Sequence, residues 1–184
     1  MRRMERRGER REERRSGPDS PAGGGGIQHY RMRQKMLSIG DDFWIENERS
    51  EKKFKVDGKA LRVRKTLILE DAHGNELLKI QERMITVRDS MEIEDAQGNR
   101  VAMVKKAMIT PLRERWSVDI PGAHDLEVQG NIVDHEYRIG NVAEVSKKWF
   151  RIADSYGIQV APGQNDALII AVAVVIDTMA HPAR

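Results

Sequence analysis

From about residue 67 to residue 160, apolar side chains recur at every second position. The pairs run Leu67/Leu69, Leu78/Ile80, Ile85/Val87 and Met91/Ile93, then Trp116/Val118/Ile120, Leu126/Val128, Tyr137/Ile139, Ala143/Val145, Phe150/Ile152 and Tyr156/Ile158/Val160. Period two is the signature of strands with one buried and one wet face. Turn formers such as Pro121-Gly122, Gly140-Asn141 and Asp154 to Gly157 separate the runs. The pattern predicts about a dozen short strands in an antiparallel meander.

The first strands carry an internal repeat. Ile45-Glu46-Asn47, Leu69-Glu70-Asp71 and Ile93-Glu94-Asp95 follow one another at steps of 24 residues, and Phe54/Leu78/Ala102 and Val56/Ile80/Val104 keep the same register. Leu61, Val63 and Arg64 match Ile85, Val87 and Arg88 in the same way. The second and third copies share an Asp-Ala-x-Gly-Asn turn, at Asp71 to Asn75 and Asp95 to Asn99. Asp at the first place and Gly at the fourth suit a type I turn followed by a left-handed residue.

Alternation stops at Ala167. Residues Ala167 to Ile176 read ALIIAVAVVI, ten apolar residues fenced by Asp166 and Asp177. Ten is well short of the roughly 20 needed to cross a bilayer. Asn165 and Asp166 suit a helix start, and His181-Pro182 a helix end, so a helix is expected from Asp166 to Met179. A helix without a polar face must be enclosed by the rest of the chain. Half-apolar strands need a common core and an apolar rod needs a sheath. The expected fold is therefore mainly β, a closed antiparallel barrel of about twelve strands around a buried C-terminal helix.

Composition narrows the chemistry. Of 184 residues none is cysteine, which excludes disulfides, thiolate metal sites and cysteine nucleophiles. Residues 1–26 hold eight of the 32 basic and five of the 29 acidic side chains, leaving 24 of each in the rest. The net charge of +3 thus belongs to the N-terminal stretch and the body is neutral. Arg pairs recur there from Arg2-Arg3 to Arg14-Arg15, followed by SGPDSPAGGGG. That reads as a disordered Arg-rich tail with a Gly linker ahead of a single domain over 27–184. Nothing in the first 30 residues resembles the apolar core of a secretory signal, so the cytoplasm is the expected address, with a peripheral membrane position as its variant.

The order of several segments resembles the LURP-one-related family, whose fold is similar to the tubby C-terminal domain and the phospholipid scramblases. The stretches are Met32 to Ile45 (MRQKMLSIGDDFWI), the two Asp-Ala-x-Gly turns, Gly130 to Ile139 (GNIVDHEYRI), and Asp154 to Asp177 with its Tyr156-Gly157. The likeness covers roughly residues 30 to 181 and implies the same twelve-stranded barrel threaded by its last helix. It implies little chemistry: bacterial-type members bring no established activity to transfer, and no cofactor is expected. Tubby domains bind phosphoinositides through basic side chains, but without a residue-by-residue match here. The acidic calcium segment of scramblases is not present, so calcium is not carried over.

Candidate chemistry is sparse. No nucleophile elbow, P-loop or dinucleotide-binding glycine pattern occurs, so no catalytic residue is assigned. Asp134-His135-Glu136 is the one acid–His–acid cluster, open to a metal or general-base reading, yet adjacent strand residues point apart. A hydrogen-bonding role in a turn is expected there, and no metal site is assigned. Asp177 ends the apolar helix, where its charge opposes the dipole. It is expected to emerge at the barrel mouth, the alternative being an internal Arg or Tyr partner.

Basic side chains on or beside strands are the stronger lead: Lys53, Lys55, Arg62, Arg64, Lys105, Lys106, Lys147 and Lys148. Aligned by neighbouring strands, they would form a positive stripe for anionic lipid headgroups; otherwise they are an ordinary solvated exterior. Trp44 cannot share a face with Phe43 and Ile45, and Trp149 and Phe150 pose the same conflict. One aromatic of each set is expected outside the core, at a lipid or protein contact or beneath the segment Ile27 to Leu37. The expected function is a non-enzymatic binding module for anionic lipid or a protein partner. The rivals are a ligand pocket or enzyme around His135 and nucleic-acid contact through the Arg tail.

Overall fold

The computed structural model describes residues 25–33, 42–58, 66–82, 89–110, 113–150 and 155–181. Nearly all of the Arg-rich tail, the site candidates Arg62 and Arg64, and the repeat positions Leu61, Val63, Ile85 and Val87 lie outside them.

The described residues form twelve strands: β1 (Gln28–Arg33), β2 (Phe43–Asn47), β3 (Lys52–Gly58), β4 (Thr66–Asp71), β5 (Glu76–Glu82), β6 (Ser90–Asp95), β7 (Arg100–Thr110), β8 (Arg113–Asp119), β9 (Leu126–Asn131), β10 (Glu136–Ile139), β11 (Ala143–Ser146) and β12 (Ser155–Val160). Each pairs antiparallel with its sequence neighbours, and β1 closes the barrel on β12, Tyr30 opposite Ile158. Among the described strands none stands at an open sheet edge, which removes the usual route to edge-to-edge aggregation. The period-two apolar set faces inward as its alternation requires: Ile45, Val56, Leu69, Ile80, Ile93, Val104, Val118, Ile139, Val145 and Ile158 are all fully buried.

The repeat is structural in all three copies. In each hairpin the first turn residue folds its side chain over the turn. Asn47 Oδ1 accepts from the N–H groups of Arg49 and Glu51, Asp71 Oδ1 from His73 and Asn75, and Asp95 Oδ1 from Gln97 and Asn99. A β-bulge falls at the same place in each, after Ile45, Leu69 and Ile93. Gly74 and Gly98 take the left-handed conformation at φ 85° and 83°, and Ser50 holds the equivalent place in the first copy at φ 59°. The hydrogen bonds from Asn99, side chain first and then backbone, hold the Asp95 carboxyl below the ordinary carboxylate range.

The apolar run is the helix α1 (Asp166–Ala180), one residue longer than expected. Asn165 caps it, its side chain accepting from Leu168 N–H at 3.1 Å. Ile169 to Ile176 are buried on every side and pack against inward side chains of the strands. Each enclosed Ile or Val contributes roughly 1.5–3 kcal/mol of burial. Near the helix start, Tyr30 of β1 donates a 2.6 Å hydrogen bond to Asp166. The helix then runs through the barrel from the end bearing the three repeat turns to the end bearing the β9–β10 turn. None of the described helices is long and apolar enough to cross a membrane.

Candidate functional site

Two places gather chemistry: the barrel mouth around the C-terminus of α1, and the outer face of β12, β1, β2 and β3.

At the mouth, the β9–β10 turn spans Ile132 to His135 and closes through His135 N–H to Ile132 C=O at 3.1 Å. Gly130 (φ 127°) lets the two strands approach, for a Cβ there would sit 2.4 Å from Glu136 C=O. His135 itself is left-handed at φ 57°. That twist separates three consecutive side chains. Asp134 accepts from Asn131 Nδ2 at 2.6 Å within the turn. Glu136 accepts from Ser146 Oγ at 2.9 Å and from Lys147 N–H at 3.0 Å, fixing the short 3₁₀ turn Lys147–Trp149. His135 alone goes inward, to 1% exposure. The three side chains of the acid–His–acid run therefore do not meet.

Inside, His135 Nε2 meets Asp177 Oδ1 at 2.7 Å, with both groups buried. This corrects the expectation for Asp177, which neither emerges at the mouth nor takes an Arg or Tyr partner. A carboxylate in the last turn of α1 faces the negative helix end and little water, so it takes the imidazole that the turn delivers. His181, at the helix C-cap, brings its Nδ1 to 3.2 Å of the same oxygen while its Nε2 donates to Val133 C=O at 3.1 Å. The rings stack in series: Tyr156 on His135 at 4.2 Å, and His135 on His181 at 4.8 Å with planes 3° apart. Burial, and then the nearby Asp177 charge, raise the pKa of Tyr137 and Tyr156 well above that of a free phenol. Buried atoms without a hydrogen-bond partner cluster here: His135 Nδ1, His181 Nδ1, Tyr137 Oη and Thr178 Oγ1.

Sequence reasoning missed the meeting of His135, Asp177 and His181. The Asp177/His181 spacing of four on one helix was the available signal, since it places both on one face.

The outer face is built differently. Gly157 lies between the inward Tyr156 and Ile158, so its missing side chain would point out. A Cβ there would meet Phe150 Cδ2 and Trp149 Cε3, each at 2.9 Å. Both aromatics thus lie outside the barrel against Gly157, not one in and one out. The 3₁₀ turn breaks the strand alternation on which that expectation rested. His29 of β1 meets Trp149 edge-on at 5.8 Å, and Arg31 stands 5.9 Å over Phe150 while pairing with Glu46. On β2, Trp44 faces outward beside Lys55 of β3, with Lys52 Nζ 4.7 Å over its ring.

The basic candidates do not share one face. Lys53 and Lys55 lie on β3, paired with Glu51 at 2.9 Å and Asp42 at 2.8 Å. Lys147 and Lys148 lie on the 3₁₀ turn beside the aromatic pair, Lys148 standing 3.7 Å from Glu136. Lys105 and Lys106 are on β7, diametrically across the ring of strands from β1. Lys105 points out, to Asp119 at 2.9 Å, and lowers that carboxyl's pKa. Lys106 shares the inward parity of Val104 and sits 5.3 Å from the ring of buried Trp116. It is no part of an exterior stripe.

A solved structure of an Arabidopsis thaliana protein superposes with a TM-score of 0.65, covering 89% of this chain and 97% of that one. At 17% identity the likeness carries the fold alone. No curated protein matches the sequence. The family model described as LURP-one-related matches residues 28–177, β1 through Asp177, and the chain belongs to the LURP-one-related family.

Proposed function

We propose that this family member is a non-enzymatic binding module that docks on anionic lipid headgroups through the outer face of β12, β1, β2 and β3. One observation carries the reading. Trp44, Trp149 and Phe150 are held on the outside of a closed barrel, with Arg31, Lys52, Lys55, Lys147 and Lys148 interleaved among them. Indole rings favour the water–lipid interface, and each basic side chain near an anionic surface adds about 1 kcal/mol. Of the acidic partners on this face, Asp42 and Glu51 are about half exposed and form pairs of the kind worth little in water, whereas the Arg31–Glu46 pair is mostly covered. A phosphate array displaces Asp42 and Glu51 at small cost.

The test is co-sedimentation with vesicles containing phosphatidylserine against vesicles of phosphatidylcholine alone. Salt-sensitive binding to the anionic vesicles, retained without residues 1–24 and weakened by Trp44→Ala with Trp149→Ala, supports the reading. Absence of binding at low salt, with and without those residues, removes it.

A further inference from the structure

The mouth of the barrel is a second site, where none of the side chains of His135, Asp177 and His181 touches the outer aromatics and the hydrogen bonds do not close. A carbonyl oxygen accepts only, so His181 Nε2, 3.1 Å from Val133 C=O, carries the proton. In the neutral ring His181 Nδ1 is then a bare lone pair, held 3.2 Å from the carboxylate oxygen of Asp177 with no hydrogen bond between them. Two electron-rich atoms at that distance repel unless something positive lies between or beside them. Asp177 is also a buried anion at the negative end of its own helix. The nearest nitrogen on its other side is His135 Nε2, and one ligand atom from each of the three residues falls within 4.8 Å of the others.

We propose that His135, Asp177 and His181 bind one divalent transition-metal ion of the zinc class at this mouth. Two imidazoles and one carboxylate suit zinc, cobalt or nickel, and not calcium or magnesium, which favour all-oxygen shells. Bonds of about 2.0–2.1 Å from a tetrahedral ion place ligand atoms roughly 3.3 Å apart. The Asp177–His181 spacing of 3.2 Å already matches, the Asp177–His135 spacing of 2.7 Å opens by about half an ångström, and the His135–His181 edge, at up to 4.8 Å, closes by as much as about 1.5 Å as the His181 ring moves in.

Two movements complete the site. The proton on His135 Nε2 moves to Nδ1, which has no hydrogen bond to lose. The His181 ring, parallel to His135, turns so that its lone pair points at the ion. His181 is about one-third exposed at the helix end and has room to turn, whereas His135 is fixed by Tyr156 stacked on its far side. Val133 C=O then serves as the outer hydrogen-bond acceptor that orients a ligating histidine. Entry is through the side on which His181 is exposed.

The experiment uses the full chain without an affinity tag, stripped with a chelator and titrated with zinc chloride by calorimetry, then with cobalt(II) by visible absorption. Expected are one ion per chain, an upward shift of Tm with zinc but none with calcium or magnesium, and the strong visible bands of four-coordinate cobalt. His181→Ala removes the one-third-exposed ligand and leaves the His135–Asp177 pair in place. It should keep the barrel folded without metal, at a slightly lower Tm, and weaken zinc binding on the order of 100-fold. A chain that takes up no zinc overturns the proposal. So does a His181→Ala variant that binds as tightly as the parent, since surface histidines would then be responsible.

Discussion

His135 and Asp177, 42 residues apart, meet 2.7 Å from each other inside the barrel and tie the β9–β10 turn to the last turn of α1. Removing one partner strands the other in a buried site. His135→Leu is therefore expected to cost about 3–5 kcal/mol in metal-free protein. Replacing both, His135→Leu with Asp177→Leu, removes the stranded charge along with the imidazole and should cost less than His135→Leu alone. Urea unfolding of the two variants checks this, and a double variant weaker than the single would show that the pair does not act as a unit.

All three tyrosines of the chain, Tyr30, Tyr137 and Tyr156, are buried. Desolvation is the main cause raising each pKa. The hydrogen bond to Asp166 adds to it at Tyr30, and the Asp177 charge at Tyr137 and Tyr156. The unfolded chain ionises its phenols near pH 10 while the folded one keeps them neutral, so the unfolded state holds fewer protons above that pH. Stability from these groups is complete below pH 10 and falls above it, by about 4 kcal/mol per pH unit for three protons. Phenolate absorbance and the far-ultraviolet circular dichroism of the strands should change together in one alkaline transition. Phenolate appearing near pH 10 with the strands intact would contradict the burial.

The first repeat turn carries Asn47, Glu48, Ser50 and Glu51 where the other two carry Asp, Ala, Gly and Asn, and Ser50 alone puts a side chain on the left-handed position. Ser50 adopts φ 59° where Gly74 and Gly98 adopt 85° and 83°, and its side chain is exposed. A left-handed residue with a Cβ costs about 1–2 kcal/mol, part of which returns as the lower chain entropy of unfolded serine. Ser50→Gly should thus stabilise the protein by roughly 0.5–1 kcal/mol, and Gly98→Ser should destabilise it by a similar amount. Thermal unfolding of both variants measures the two signs.

That turn also shows what was legible in the sequence. Period-two runs and a 24-residue step fix strand faces and hairpin positions because both are local properties of the chain. The helix followed from length and caps, Asn165 at one end and His181-Pro182 at the other. The mouth cluster was hidden because it depends on barrel closure, which brings a turn and a helix end together, and on a left-handed His135, a conformation that histidine favours too weakly to be read from one position. The inward position of Lys106 was readable, since Ala102, Val104 and Lys106 share one parity. A charge on an apolar parity is easily passed over when lysines are read as exterior by type. Trp149 and Phe150 defeat alternation because a 3₁₀ turn has three residues per turn. Gly157, small on the outward parity between Tyr156 and Ile158, was the mark of their seat.

Gly157 also offers the most direct probe of the outer face. Its substitution by alanine places a methyl group 2.9 Å from carbon atoms of both Trp149 and Phe150, closer than carbon atoms pack. The backbone at Gly157 is held by pairing to Arg31 on one side and Ser146 on the other, so the rings must lift instead. Overpacking of this kind costs about 1–3 kcal/mol. Gly157→Ala should then keep the barrel, lower Tm by a few degrees, shift tryptophan emission to longer wavelength as Trp149 meets more water, and weaken binding to anionic vesicles. The rings that lift touch none of His135, Asp177 and His181, so zinc affinity should equal that of the parent. If emission shifts and vesicle binding does not change, Trp149 is not part of the lipid contact. Trp44, with Lys52 over its ring, would then have to carry the aromatic share alone.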